Sequence, residues 1–237
     1  MKRAVFTVLF GNYDDINHLL EFEIKNQLFD IFIITDKKLP LLSKSPIIQI
    51  VVKRRFDNTV TESRYYKFNV FEVLKSEEYI YFDANRRLNH QILSRIFDIG
   101  GRSNVDIVHF YHPKNINYSQ EVHDCSKQNK LTGDEFDNYL NNKDEISILT
   151  DGVVLTENSI FYFRNKVSVK IYLNSIFGLY CCFVPRDQLS SLLIRSVVNV
   201  DLFNIEFKSY DDVGFDNIYY KHKKKMSLIS KILSNLK

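Results

Sequence analysis

The chain contains no tryptophan and only seven glycines, four prolines and three cysteines in 237 residues. With so few glycines there is neither a GxGxxG nor a P-loop, which excludes phosphate cradles built on bare backbone. Cys125, Cys181 and Cys182 give no metal-ligand spacing and no even disulfide framework. The adjacent pair lies in an apolar run and reads as buried thiol, in a chain suited to a reducing cytoplasm. No stretch approaches the roughly 20 apolar residues of a membrane span. No nucleophile elbow or Cys–His arrangement stands out. The formal charge is only +3, and much of the excess is concentrated in Lys221–Lys225. That implies a local anionic partner and not nucleic acid.

What is present is ordinary globular material, 45% hydrophobic and 26% charged, with abundant Phe and Tyr. The aromatics suit pleated, half-buried sheet surfaces. Met1-Lys2-Arg3 and the apolar run to Phe10 mimic a signal peptide, but Gly11-Asn12-Tyr13-Asp14-Asp15 follows with no small-residue cleavage site. The run therefore reads as a first strand, over 4–10.

Further strands are predicted over 30–35, 47–52, 79–82 and 105–110, and helices over 18–29, 61–74, 91–99, 117–129, 134–141 and 186–198. Gly152-Val153-Val154-Leu155 reads as a strand entering a long aromatic helical region. The alternation argues for an α/β fold with a mostly parallel sheet. No linker or repeat interrupts 1–220, so the organisation is one domain followed by a basic tail, 221–237. In that tail Leu228, Ile229, Ile232, Leu233 and Leu236 form an apolar stripe at helical spacing, with Lys223, Lys224, Lys225, Lys231 and Lys237 around it. Such a helix fits an anionic membrane surface, the domain's own core or a second subunit.

The richest stretch is Tyr79-Ile80-Tyr81-Phe82-Asp83-Ala84-Asn85, an apolar strand ending in a carboxylate and an amide. In open α/β sheets ligands bind beyond the carboxyl ends of strands. A carboxylate there can hold a divalent ion, and the ion a diphosphate; it can equally form a turn or cap a helix. Asp36, Asp187 and His222 also stand at element ends, with turn, helix-start and solvated-side-chain readings beside the functional ones. Arg64 and Lys67 share a helical face, a pairing that suits a diphosphate or simply faces water. His109 and His112 lack a third ligand at zinc spacing.

In order, Val8-Leu9-Phe10-Gly11-Asn12-Tyr13-Asp14, Arg64-Tyr65-Tyr66-Lys67, Tyr81-Phe82-Asp83-Ala84-Asn85, His112-Pro113 with Glu121, and Arg186-Asp187-Gln188-Leu189-Ser190 resemble one family. It is the TOD/MUCI-like glycosyltransferase domain of plant wall-polysaccharide and bacterial surface-polysaccharide proteins. The resemblance implies a GT-A-like single domain: a Rossmann-like nucleotide-binding half with a central, mostly parallel sheet, fused to an acceptor-binding half. By that likeness Asp83, Asn85 and His222 would ligate Mn2+ or Mg2+, with an amide at Asn85 where the family pattern has a second carboxylate. Phe10, Gly11, Tyr13 and Asp36 would hold base and ribose. Arg64, Lys67, Ala84 and Arg186 would line the nucleotide-sugar, and Gly152, in Thr150-Asp151-Gly152-Val153, would face the donor sugar. Asp187 would act at the reaction centre, with His112 and Glu121 as acceptor-side or structural residues.

The implied activity moves a sugar from a nucleotide diphosphate, UDP favoured, to a hydroxyl of a saccharide or lipid-linked saccharide. Retention is slightly favoured over inversion. The implied setting is cytoplasmic, with possible peripheral contact at the membrane's inner face. The competing readings are a non-catalytic carbohydrate- or nucleotide-binding module and a nucleotide-sugar hydrolase.

Overall fold

A computed structural model describes residues 2–11, 28–40, 46–86, 89–102, 105–114, 117–197 and 204–214. Asn12, Tyr13, His222, the 221–237 tail and nearly all of the helix expected over 18–29 lie outside them. Leu28 and Phe29, at that helix's expected end, are not helical.

The described residues are built on one seven-stranded sheet, with strands β1 Arg3–Leu9, β2 Asp30–Thr35, β3 Ile47–Val51, β4 Glu78–Phe82, β5 Ile107–Tyr111, β6 Thr156–Arg164 and β7 Ile205–Lys208. Their order is β3-β2-β1-β4-β6-β5-β7. The pairings of β1 with β2 and β4, of β2 with β3, and of β5 with β7 are parallel. β6 runs antiparallel to both β4 and β5. It is thus the one reversed strand among those described, and the expected α/β class with a mostly parallel sheet is what the chain adopts.

β1 and β4 are apolar along nearly their whole length because both faces are covered, as parallel strands require. Successive side chains alternate faces. Val5, Ile80, Phe82 and Tyr162 point to one core with Leu93, Ile96 and Phe97. Those three come from α2, His90–Gly100. Phe6, Tyr79, Tyr81, Phe161 and Phe163 point to the other core. There they meet α1, Thr59–Phe68, and α6, Val167–Cys182. The cross-strand neighbours Tyr79 and Phe163 stack at 5.1 Å. A third cluster joins α3 Tyr118–Lys127, α4 Gly133–Asn141, α5 Lys143–Leu149 and α7 Asp187–Val197 through Tyr118, Val122, Ile146, Leu189 and Leu192.

Local signals set the helix starts. Asn58, Asn89 and Asn117 accept from first-turn N–H groups of α1, α2 and α3, and Thr132 with Glu135 forms a capping box on α4.

Several expectations need correction. The helix expected over 61–74 ends at Phe68; Asn69 turns the chain into a short 3₁₀ segment, Val70–Glu72. Residues 152–155 are not a strand, and the aromatic segment after them is not helical at first. Residues 156–164 are β6, and the helix begins only at Val167. Cys181 and Cys182 are exposed, not buried. The inner stripe of α6 is Val169, Tyr172, Leu173, Ile176, Phe177 and Tyr180, and its helical period turns both thiols outward. Among the described residues, no helix is long and apolar enough to cross a membrane.

Candidate functional site

The topology puts several chain segments on one edge. Phe10-Gly11 leaves β1, Asp36 leaves β2 and Asp83 leaves β4, all at carboxyl ends of adjacent parallel strands. Because β6 is reversed, its first residues, Thr156 to Ser159, reach the same edge. So does His112, just past the end of β5. Gly11 has φ +71°, a left-handed conformation that favours glycine, and it lies against Thr59 at the start of α1. The Phe10 ring is buried and stacks on Tyr66 at 5.6 Å. Asp36 faces Arg54 at 3.5 Å.

α1 carries two cations into this edge. Lys67 Nζ lies 2.6 Å from Asp187 Oδ2 and 3.8 Å from Asp83 Oδ1. Arg64 Nε lies 3.3 Å from Asp187 Oδ2. The Tyr81 hydroxyl donates to Asp83 Oδ1 at 2.5 Å. Lys67 also sits 4.6 Å from the centre of the Tyr81 ring. Exposure separates the roles: the side chains of Lys67 and Asp187 are 1% and 6% exposed, those of Arg64 and Asp83 20% and 31%. Only Asp83 and Arg64 of the four reach water appreciably.

Burial by itself would neutralise Asp187, but Arg64, Lys67 and Arg186 outweigh it and hold the carboxyl well below the usual carboxylate range. Burial, reinforced by Asp83, pushes the Tyr81 phenol well up, so it remains a neutral donor. Asp187 is fixed in place because Asn158 Nδ2 donates to its carbonyl at 2.9 Å.

The Asp83 turn is locked from behind. Arg86 N–H donates to the Asp83 carbonyl at 2.9 Å, closing a β-turn through Ala84 and Asn85, both buried. The fully buried Arg86 guanidinium donates to Ser159 Oγ at 2.7 Å and the Tyr210 hydroxyl at 2.8 Å, with Glu157 at 3.7 Å.

A neighbouring group surrounds His112, whose Nε2 lies 3.7 Å from Glu121 and 3.9 Å from Glu157. Glu121 accepts from Cys125 Sγ at 3.2 Å. Arg186 reaches Gln188 at 3.4 Å and influences both Cys125 and Asp187. His112 lines a cleft of about 580 Å³ that also contains Thr150, Asp151 and Gly152. Gly152 has φ +71°, the left-handed conformation of a tight turn.

The structure therefore gathers Arg64, Lys67, Asp83 and Asp187 into one cluster, and His112, Glu121 and Gly152 into an adjoining cleft region. Asp187, expected to work at the reaction centre, is buried behind Arg64 and Lys67. Tyr81, Arg86, Glu157 and Asn158 were not singled out from sequence. Tyr81 stands inside the quoted strand, and Glu157-Asn158 is the polar start of the segment read as helical.

The charge of the expected metal set can be weighed. Asp83 and Asn85 supply one negative charge between them, and the Lys67 ammonium lies 3.8 Å from that carboxylate. Among the described residues no three metal-ligating side chains gather. These two donors do not by themselves fit a divalent cation, which seeks several oxygen ligands.

No protein-family model and no curated protein matches the sequence. Many solved structures resemble the chain, among them two enzymes. One is a CMP:2-keto-3-deoxy-manno-octonic acid synthetase complexed with CTP, 11% identical, covering 100% of this chain and 98% of its own, with a TM-score of 0.47. The other is the galactosyltransferase LgtC in complex with donor and acceptor sugar analogs, 10% identical, covering 88% of this chain and 73% of its own, also with a TM-score of 0.47.

Proposed function

We propose that this chain is a glycosyltransferase that takes a sugar from a nucleotide-diphosphate donor, UDP-linked by preference, and moves it to a hydroxyl of a saccharide or lipid-linked saccharide. Bacterial surface-polysaccharide synthesis is the setting the sequence resemblance favours. The observation that carries the reading is that a partly exposed guanidinium, Arg64, and a partly exposed carboxylate, Asp83, are brought together around the buried Lys67–Asp187 pair at the carboxyl edge of β1 and β4. Open α/β sheets bind ligands at such an edge.

In this reading Arg64 meets the diphosphate. Its planar fork suits phosphate oxygens, and it stays charged because Asp187 and Asp83 outweigh the effect of burial. Negative charge grows on the diphosphate as the sugar leaves, and a preorganised cation in a poorly hydrated site stabilises it. Lys67 does not reach solvent. It acts through its field and by holding Asp83 and Asp187 in register. Asp187, ion-paired and buried, is a positioning residue and a poor acceptor for the proton of an attacking hydroxyl. That favours retention over inversion.

Calorimetry with UDP, GDP and CMP, followed by sugar release from the matching nucleotide-sugars with and without added saccharide, tests the reading. UDP should bind, and release should rise with acceptor. Release that ignores the acceptor supports the hydrolase, and binding without turnover supports the non-catalytic module. No nucleotide binding at all would sink the proposal.

A further inference from the structure

The cleft beside His112 has its own chemistry. It lies between the end of β5, the start of α3 and the turn from α5 into β6. At about 580 Å³ it falls within the roughly 300–1,000 Å³ of small-ligand sites. Its polar lining comes from hydroxyls, an amide, an imidazole and a carboxylate: Ser119, Ser147, Thr150, Asn117, His112 and Asp151. Tyr111 adds an aromatic wall. The residue is 45% exposed, and its ring stacks on Phe207 at 5.9 Å. A rigid aromatic face beside short hydroxyl and amide groups matches a sugar ring, which has an apolar C–H face and a polar edge.

The charge of the lining is more selective. Asp151 is exposed and is the one carboxylate in the wall. Glu121 and Glu157 stand behind His112. Among the described residues neither lysine nor arginine lines the cleft. Arg195 lies behind the wall, donating to the Val154 carbonyl at 2.7 Å. An anionic sugar placed here would meet the Asp151 carboxylate, and the one basic side chain at the wall, His112, already faces Glu121 and Glu157. The same carboxylate accepts hydrogen bonds from neutral sugar hydroxyls.

We infer that this cleft binds a neutral saccharide and rejects saccharides bearing a carboxylate or phosphate. That the saccharide is the acceptor rests on the glycosyltransferase reading; the binding preference does not. Gln188, next to Asp187, reaches Glu157 at 3.5 Å, so the cleft adjoins the Arg64–Asp83 cluster.

The test uses saturation-transfer NMR on the full chain with lactose, methyl β-galactoside and methyl galacturonide at equal concentration. The two neutral glycosides should give signals and the uronide none. Tyr111→Ala should weaken neutral binding roughly tenfold, as for the loss of an aromatic anchor. Asp151→Asn, a change on an exposed turn that leaves the core intact, should admit the uronide. Uronide binding equal to that of the neutral sugars in the unsubstituted protein overturns the inference, as does neutral binding indifferent to Tyr111→Ala or absent altogether. UDP binding, measured in the same samples, separates the two proposals. UDP without neutral saccharide leaves the donor reading standing alone, and neutral saccharide without UDP leaves only the cleft.

Discussion

Lys67 and Asp187, 120 residues apart in sequence, meet at 2.6 Å where neither side chain is more than 6% exposed. The pair ties α1 to the start of α7, and Lys67 extends the tie to the strand end at Asp83.

Breaking it should be costly. Lys67→Met removes the closest partner and leaves Asp187 to Arg64 and the more distant Arg186. Buried pairs broken this way lose about 3–5 kcal/mol, and Arg64 should keep this case near about 3 kcal/mol. Urea unfolding measures it. A loss under about 1 kcal/mol would place the pair with ordinary surface bridges.

The pH dependence follows from the lowered Asp187 carboxyl. A carboxyl whose folded pKa lies below its unfolded one stabilises the fold above the unfolded value. That stability is lost as pH falls through the folded value. Asp187→Asn should therefore be less stable than the parent at neutral pH, with the gap narrowing as pH drops below about 4. Melts from pH 7 downward show this. A gap independent of pH would mean the charge of Asp187 is not what stabilises.

Arg64→Gln should weaken UDP by on the order of tenfold, the worth of a charge-assisted hydrogen bond. Affinity for methyl β-galactoside should stay as it was. Calorimetry with both ligands reads the difference. A loss of both affinities would indicate a collapsed site and not a missing phosphate contact.

Removing divalent ions should leave UDP affinity essentially unchanged, because among the described residues only Asp83 brings negative charge to the expected metal position, with the Lys67 ammonium 3.8 Å away, and Arg64 supplies positive charge. Titrations in chelator and in manganese settle the point. A large gain with manganese would show that ligands outside the described residues complete a metal site.

β1, β2, β3 and β4 were legible in the sequence because each is a short apolar run with turn residues after it. β6 was not. Its buried Ile160, Phe161, Tyr162 and Phe163 show no alternation, and only Arg164-Asn165-Lys166 separates them from the equally apolar α6. Its aromatic content suits sheet as well as helix, and a continuous apolar run reads either way. Asp83, Asp187, Arg64 and Lys67 could each be named from sequence. That Lys67 is buried between the two carboxylates could not, since it depends on how α1 and α7 pack. The exposure of Cys181 and Cys182 likewise depends on which face of α6 meets the sheet.

The reversed strand also governs how the chain can be divided. β4, which ends the first half of the sheet, finds its outer neighbour in β6, which begins at Thr156, long after α2, β5 and three further helices. A fragment ending before residue 156 would leave both β4 and β5 with open, apolar edges, the kind that recruit other chains into aggregates. Pairing must also wait for a segment distant in sequence, and non-local pairing slows folding. The halves that bind nucleotide and saccharide in our reading are thus separable in chemistry but not in assembly, and excising either one should yield insoluble protein.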